Sequence, residues 1–135
     1  MLVVDDDQND VTLVKRAFDR AGLRNPIQSV TSGTEALAYL QGDHPYSDRT
    51  QYPLPALLFL DIKMPPPDGF DVLRWIRHQN QFAKLCVVML TGSDDIRDAN
   101  LAYRLGADSF LVKPLDFWNA TELMESLQRL LKRCE

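Results

Sequence analysis

Three acids, Asp5, Asp6 and Asp7, follow the short apolar run 2–4. Asp61 follows the apolar run 56–60, Thr91 follows 85–90, and Lys113 follows 110–112 with Pro114 directly behind it. Carboxylates brought within a few ångströms repel one another, and at neutral pH they need a cation or a proton. Clustered oxygen ligands suit a hard divalent ion. Mg²⁺ takes one or two carboxylates directly, keeps several waters and leaves positions for phosphate oxygens. An ammonium group adds a second positive charge, a threonine hydroxyl can donate to a phosphoryl oxygen, and a carboxylate can be the nucleophile that becomes an aspartyl phosphate. Such a set would work mainly by positioning and electrostatics. Each residue has a duller role when taken alone: helix cap, turn residue, loop hydroxyl or solvated lysine. Asp is a favoured N-cap, and Asp7 or Asn9 is expected to serve as one. The set gains force because every member stands just after an apolar run.

That chemistry needs elements that bring the ends of the runs together. The runs 2–4, 27–30, 56–60, 85–90 and 110–112 have the length and the valine, leucine and phenylalanine content of buried parallel strands. Helix-period segments lie between them. Val11, Val14, Phe18 and Ala21 mark the first, with Gly22 as its stop; Ala36, Leu37 and Leu40 the second; Val72, Leu73 and Ile76 the third. Ile96, Ala99 and Tyr103 mark the fourth, and Leu123, Leu127, Leu130 and Leu131 the fifth. Strict β-then-α alternation predicts an α/β fold with a doubly wound five-stranded parallel sheet and right-handed crossovers. In such sheets the functional site lies outside the carboxyl ends of the strands. Asp5, Asp6, Asp61, Thr91 and Lys113 should therefore converge. One connection stands out: 42–55, a polar stretch with prolines at 45, 53 and 55. It reads as a mobile surface loop, with a partner-contact loop as the alternative.

Composition narrows the function. The chain has 135 residues, enough for one domain, and a formal net charge of -4. No basic run offers a general attraction to nucleic acid. No apolar stretch approaches a membrane span, and Met1 to Val4 run straight into acids rather than into a signal peptide, so a cytoplasmic protein is expected. Cys86 and Cys134 have no metal-ligand spacing and read as a core thiol and a tail thiol in a reducing compartment.

The blocks LVVDDD (2–7), LLFLDIKMPPPDG (57–69), VVMLTGS (87–93) and GADSFLVKP (106–114), in this order and spacing, resemble the receiver domains of two-component response regulators. The most telling part is Asp61 with Met64 and Pro65, then Asp68 and Gly69. The resemblance covers nearly the whole chain and implies a flavodoxin-like (βα)5 fold with strand order 2-1-3-4-5. It implies that Asp61 is the phosphoacceptor, that Asp6 is a direct Mg²⁺ ligand, and that Asp5 contacts the ion through water. Lys63 would supply a backbone carbonyl to the metal. Thr91 would be the switch hydroxyl, Lys113 the phosphate-contacting lysine ahead of a cis Pro114, and Phe110 the rotating switch aromatic. Lys63 and Ser93 would tune the lifetime of the phosphoryl group, and the Lys63 ammonium would shield it from water. Gly92, where alanine is common in the family, leaves room over the site, and Pro66 and Pro67 stiffen the loop after Asp61. The likeness extends to small single-domain regulators with a long connection before the third strand, among them those paired with phytochrome-type sensor kinases.

The resemblance thus implies a single receiver domain over 1–135 with no output domain, acting as a signalling switch rather than an enzyme. It would accept its phosphoryl group from a sensor histidine kinase or phosphotransfer protein and present a changed face along helix 4, strand 5 and helix 5 to a protein target, as monomer or homodimer. The alternative is a phosphorylation-independent, receiver-like scaffold. A haloacid dehalogenase-type phosphatase would need an acid two residues after the nucleophile, where Lys63 stands. A flavodoxin-type cofactor binder would face repulsion between its phosphate and Asp5, Asp6 and Asp7. Trp75 and Trp118 are read as packing residues that could report phosphorylation by fluorescence.

Overall fold

The structure is a computed structural model that describes residues 1–92, 95–113 and 120–134. Expectations for Ser93, Pro114 and Trp118 lie outside the described residues. The strands are β1 (Leu2–Val4), β2 (Gln28–Val30), β3 (Leu57–Asp61), β4 (Cys86–Thr91) and β5 (Ser109–Val112). The helices are α1 (Gln8–Arg20), α2 (Gly33–Gln41), α3 (Gly69–His78), α4 (Ile96–Arg104) and α5 (Ala120–Arg133). A 3-10 turn at Asn80–Phe82 follows α3. All strands are parallel, in the order β2-β1-β3-β4-β5, as the sequence leads one to expect.

The sheet is buried on both faces, which explains why its strands read as continuous apolar runs. Alternate side chains divide between two cores. Leu2, Val4, Leu58, Leu60, Val87 and Met89 pack with residues of α2, α3 and α4. Val3, Leu57, Phe59, Cys86, Val88 and Leu90 pack with α1 and α5. The helix stripes fall as expected in α1, α3 and α5, where Val11, Val14 and Phe18, Val72, Leu73 and Ile76, and Leu123, Leu127 and Leu130 are buried. In α4 the stripe points the other way. Ile96 is 71% exposed and Tyr103 51%, and the helix buries Ala102 instead. Periodicity reveals that a helix is present, but it does not say whether the apolar face meets the core.

The connection 42–55 is tied to the domain. Gly42 closes α2 in a left-handed conformation at φ 74°. Arg49 donates to the carbonyls of Tyr39 (2.8 Å), Leu40 (2.9 Å) and Tyr52 (3.2 Å). Its guanidinium thus satisfies the orphan carbonyls at the end of α2 and places positive charge at the negative pole of the helix. The Tyr46 ring packs tilted and the Tyr52 ring edge-on against Tyr39, and the Tyr46 hydroxyl donates to Glu35 at 3.2 Å.

At the amino edge of the sheet, Asp108 accepts from the Val87 amide (2.8 Å) and from Arg77 (3.1 Å), while Arg133 donates to its carbonyl (2.7 Å). Cys86 and Cys134 are joined there by a disulfide with a Cα–Cα distance of 5.8 Å. This corrects the reading of two separate thiols. A separation of 48 residues conceals that α5 packs over β4 and brings its last turn back to the start of that strand.

Candidate functional site

The carboxyl ends of β1, β3, β4 and β5 deliver their residues to one cleft of about 590 Å³, lined by Asp6, Asp7, Asp10, Leu13, Asp61, Lys63, Gly92 and Lys113. Asp5 is fully buried beneath it. Its backbone amide donates to Val30, and one carboxylate oxygen accepts from the Asp7 amide at 3.0 Å. Asp7 caps α1, accepting from the Asn9 amide at 2.8 Å. The acid run therefore divides its labour: Asp5 goes to the core, Asp6 to the cleft and Asp7 to the helix.

Asp61 ends β3 and is buried at 4% exposure. Ligand oxygens of Asp5, Asp6 and Asp61 lie within 4.8 Å of one another, a spacing that one divalent cation could bridge. Lys113 reaches over this group. Its ammonium donates to Asp10 at 2.8 Å, Asp5 at 3.0 Å and Asp61 at 3.2 Å. Its backbone amide donates to the Thr91 carbonyl at 2.6 Å, which locks the end of β5 to the end of β4. Thr91 is buried under the rim of the cleft, Lys63 is exposed at its edge, and a methyl group added to Gly92 would meet nothing. Phe110 is half-buried, packed against the α2–α3–α4 core, on the same edge strand as Lys113.

The charges follow from this geometry. Burial raises the Asp61 carboxyl to about 6, and the neighbouring Asp5 charge adds to the rise, against the opposing pull of Lys113. Burial also raises Asp5, opposed by its hydrogen bonds from Asp7 and Lys113. Burial alone would lower Lys113, but its bonds to Asp10 and Asp5 and the charges of Asp61 and Asp5 outweigh it and hold the ammonium well above its ordinary range. The cluster is rich in negative charge and only partly balanced by one lysine.

Two contributions escape the sequence reading. Asp10 makes the shortest of the Lys113 ammonium contacts, yet in sequence it is one more acid in a helix's first turn. Gly69 opens α3 so close to the site that an added Cβ would collide with the Asp61 carbonyl. The Asp68-Gly69 pair was legible as part of a motif, and its steric reason needs the fold.

A family model for the response regulator receiver domain matches residues 1–128. Among curated proteins the chain is 33% identical over 135 residues to the transcriptional regulatory protein GltR of Pseudomonas aeruginosa, covering all of this chain and 50% of that one. It is 33% identical over 128 residues to the probable methanogenesis regulatory protein FilR2 of Methanothrix harundinacea, covering 95% of this chain and 80% of the other. The chain spans about half the length of several such regulators. Among solved structures, the bacteriophytochrome response regulator RtBRR superposes with a TM-score of 0.80 at 32% identity, covering 96% of this chain and 75% of that one. AtBRR, also a bacteriophytochrome response regulator, gives 0.80 at 34% identity, with coverage of 96% and 89%. The fold, the acidic cleft and these likenesses agree: the chain belongs to the response regulator receiver domain family of two-component signalling.

Proposed function

We propose that Asp61 is the phosphoacceptor of this receiver and that Asp5, Asp6, Asp61 and the backbone carbonyl of Lys63 hold Mg²⁺. The observation that carries the proposal is the meeting of Asp61 with Asp5 and Asp6 within 4.8 Å under a lysine ammonium 3.2 Å away, at the floor of an open cleft. The fit to a hard divalent ion rests on the donor set: carboxylate oxygens in excess of the local positive charge. Bound there, Mg²⁺ would offset the charge of the incoming phosphoryl group.

In the proposed reaction, an Asp61 carboxylate oxygen attacks the phosphorus of a phosphohistidine on a sensor histidine kinase or phosphotransfer protein. The P–N bond breaks and the imidazole leaves with the electron pair. Lys113 and the Thr91 hydroxyl then donate to phosphoryl oxygens. Lys63, exposed at the cleft edge, shields the acyl phosphate from water. Because Thr91 and Lys113 join the ends of β4 and β5, their rearrangement shifts an existing equilibrium in α4 and β5, with Phe110 as the coupled aromatic. The exposed Ile96 and Tyr103 give the α4 side of the α4–β5–α5 face apolar contacts for a protein target. The likeness to bacteriophytochrome response regulators supports a phytochrome-type kinase as the donor. The reading takes 1–135 as one receiver domain in the cytoplasm. Among the described residues no helix is long and apolar enough to cross a membrane.

The test is phosphorylation by acetyl phosphate with and without Mg²⁺, on wild type and Asp61→Asn. A Mg²⁺-dependent, base-labile adduct that the variant lacks is expected. An adduct of equal yield on Asp61→Asn would move the acceptor elsewhere.

A further inference from the structure

We propose that Asp10 is a positioning residue for phosphoryl transfer, acting through Lys113; this rests on the receiver reading of the same cleft. An ammonium group has three N–H donors. In this structure all of them are engaged: Asp5, Asp10 and Asp61 each accept one, and Asp10 does so at the shortest distance, 2.8 Å. Asp5 and Asp61 belong to the group that would hold the metal. Asp10 stands apart from it, on the α1 side of the cleft, half-buried and fixed by a helix that begins at Gln8.

The geometry gives Asp10 a definite task. Without it, the Lys113 side chain could satisfy itself with Asp5 and Asp61 alone. It would then lie deeper over the nucleophile and compete with a cation for the same oxygens. Asp10 draws the ammonium toward α1 and still leaves a donor directed at Asp61. When Asp61 becomes an acyl phosphate, that donor can pass to a phosphoryl oxygen while the bonds to Asp10 and Asp5 stay in place. Lysine carries four methylene torsions, so an outside anchor that fixes its terminal nitrogen lowers the entropy lost at each transfer.

A merely structural alternative exists, because an acid in the first turn of α1 favours the helix dipole whatever Lys113 does. The experiment separates the two. Phosphorylation rates with acetyl phosphate and Mg²⁺ are measured for Asp10→Ala and Asp10→Asn, each in wild-type and Lys113→Ala backgrounds. Positioning predicts that Asp10→Ala slows the wild-type reaction about tenfold and that Asp10→Asn, which keeps an acceptor, recovers most of the loss. It also predicts a change of less than about twofold in the Lys113→Ala background, since the effect runs through the lysine. Equal factors in both backgrounds, or no effect in either, would overturn it. A second readout does not depend on turnover: the side-chain NMR signal of the Lys113 ammonium. It should be ordered in wild type and lose that order in Asp10→Ala, while Lys84 stays unchanged. If wild type accepts no phosphoryl group, the receiver reading of Asp61 has failed, and the NMR measurement alone decides on Asp10. An unchanged Lys113 signal in the variant refutes the positioning role.

Discussion

Asp61 sits under influences that oppose one another: burial and the Asp5 charge favour its protonated form, and Lys113 favours the carboxylate. The first two prevail and lift it to about 6, from an ordinary 3.8. A carboxyl raised on folding binds its proton more tightly in the native state. Its contribution is therefore most favourable below pH about 4, declines as pH rises toward 6, and stays unfavourable above that. Asp61→Asn, which cannot ionise, should stabilise the metal-free protein by about 1–3 kcal/mol at pH 7, and the difference should close by pH 4. Urea unfolding of both proteins across that range checks it, and equal midpoints at pH 7 would contradict it. At this scale the sequence was most legible where side-chain type and strand end coincide, as at Asp5, Asp61, Thr91 and Lys113. Asp10 was opaque because its partner is 103 residues away and nothing local distinguishes it from a helix-dipole acid.

Elements explain why those residues can meet. The loop after β3 is closed by the Met64 and Gly69 amides, which both donate to the Ile62 carbonyl (3.2 and 3.0 Å), and by a reciprocal cap in which Asp68 and Asp71 each accept from the other's amide at 3.0 Å. Gly69 lets α3 begin against the backbone of Asp61, and Gly33 does the same for α2 against Pro67. Gly69→Ala is expected to push the loop off Asp61, costing about 1–3 kcal/mol and slowing phosphorylation. Gly92→Ala, whose added carbon meets open space, should leave stability unchanged. Thermal melts of the pair make the comparison, and equal losses would mean that the collision at Gly69 is relieved elsewhere. Strands and most helix faces were readable because burial on both sides of the sheet imposes long apolar runs. The α4 stripe misled because an exposed apolar face has the same period as a buried one. The anchoring of 42–55 was hidden because Arg49 bonds to carbonyls, which every residue carries.

The whole molecule has two unlike edges. The carboxyl edge of the sheet gathers the acids, Thr91 and Lys113. The amino edge is braced by the Arg77–Asp108 pair, the Arg133 contact and the Cys86–Cys134 disulfide. Alternation made the parallel sheet legible, and with it the gathering of all carboxyl ends on one edge, while the order 2-1-3-4-5 came only with the resemblance to receiver domains. The disulfide was not legible, because its partners become neighbours only once α5 has packed. Cross-linking across 48 residues constrains the unfolded chain, so reduction, or Cys134→Ser, should lower stability by about 2–4 kcal/mol. Denaturation with and without reductant measures this, and an unchanged midpoint would mean that the bond adds nothing to the helix packing.

The strand β4 begins at the bonded Cys86 and ends at Thr91. It is in effect a beam bolted at its root by the disulfide and held along both flanks by β3 and β5, and at roughly 3.3 Å per residue its tip stands about 17 Å from the bolt. A displacement of Thr91 cannot be absorbed by sliding the strand lengthwise. If Thr91 moves as proposed, its displacement would reach the paired strands β3 and β5 before it reaches the disulfide.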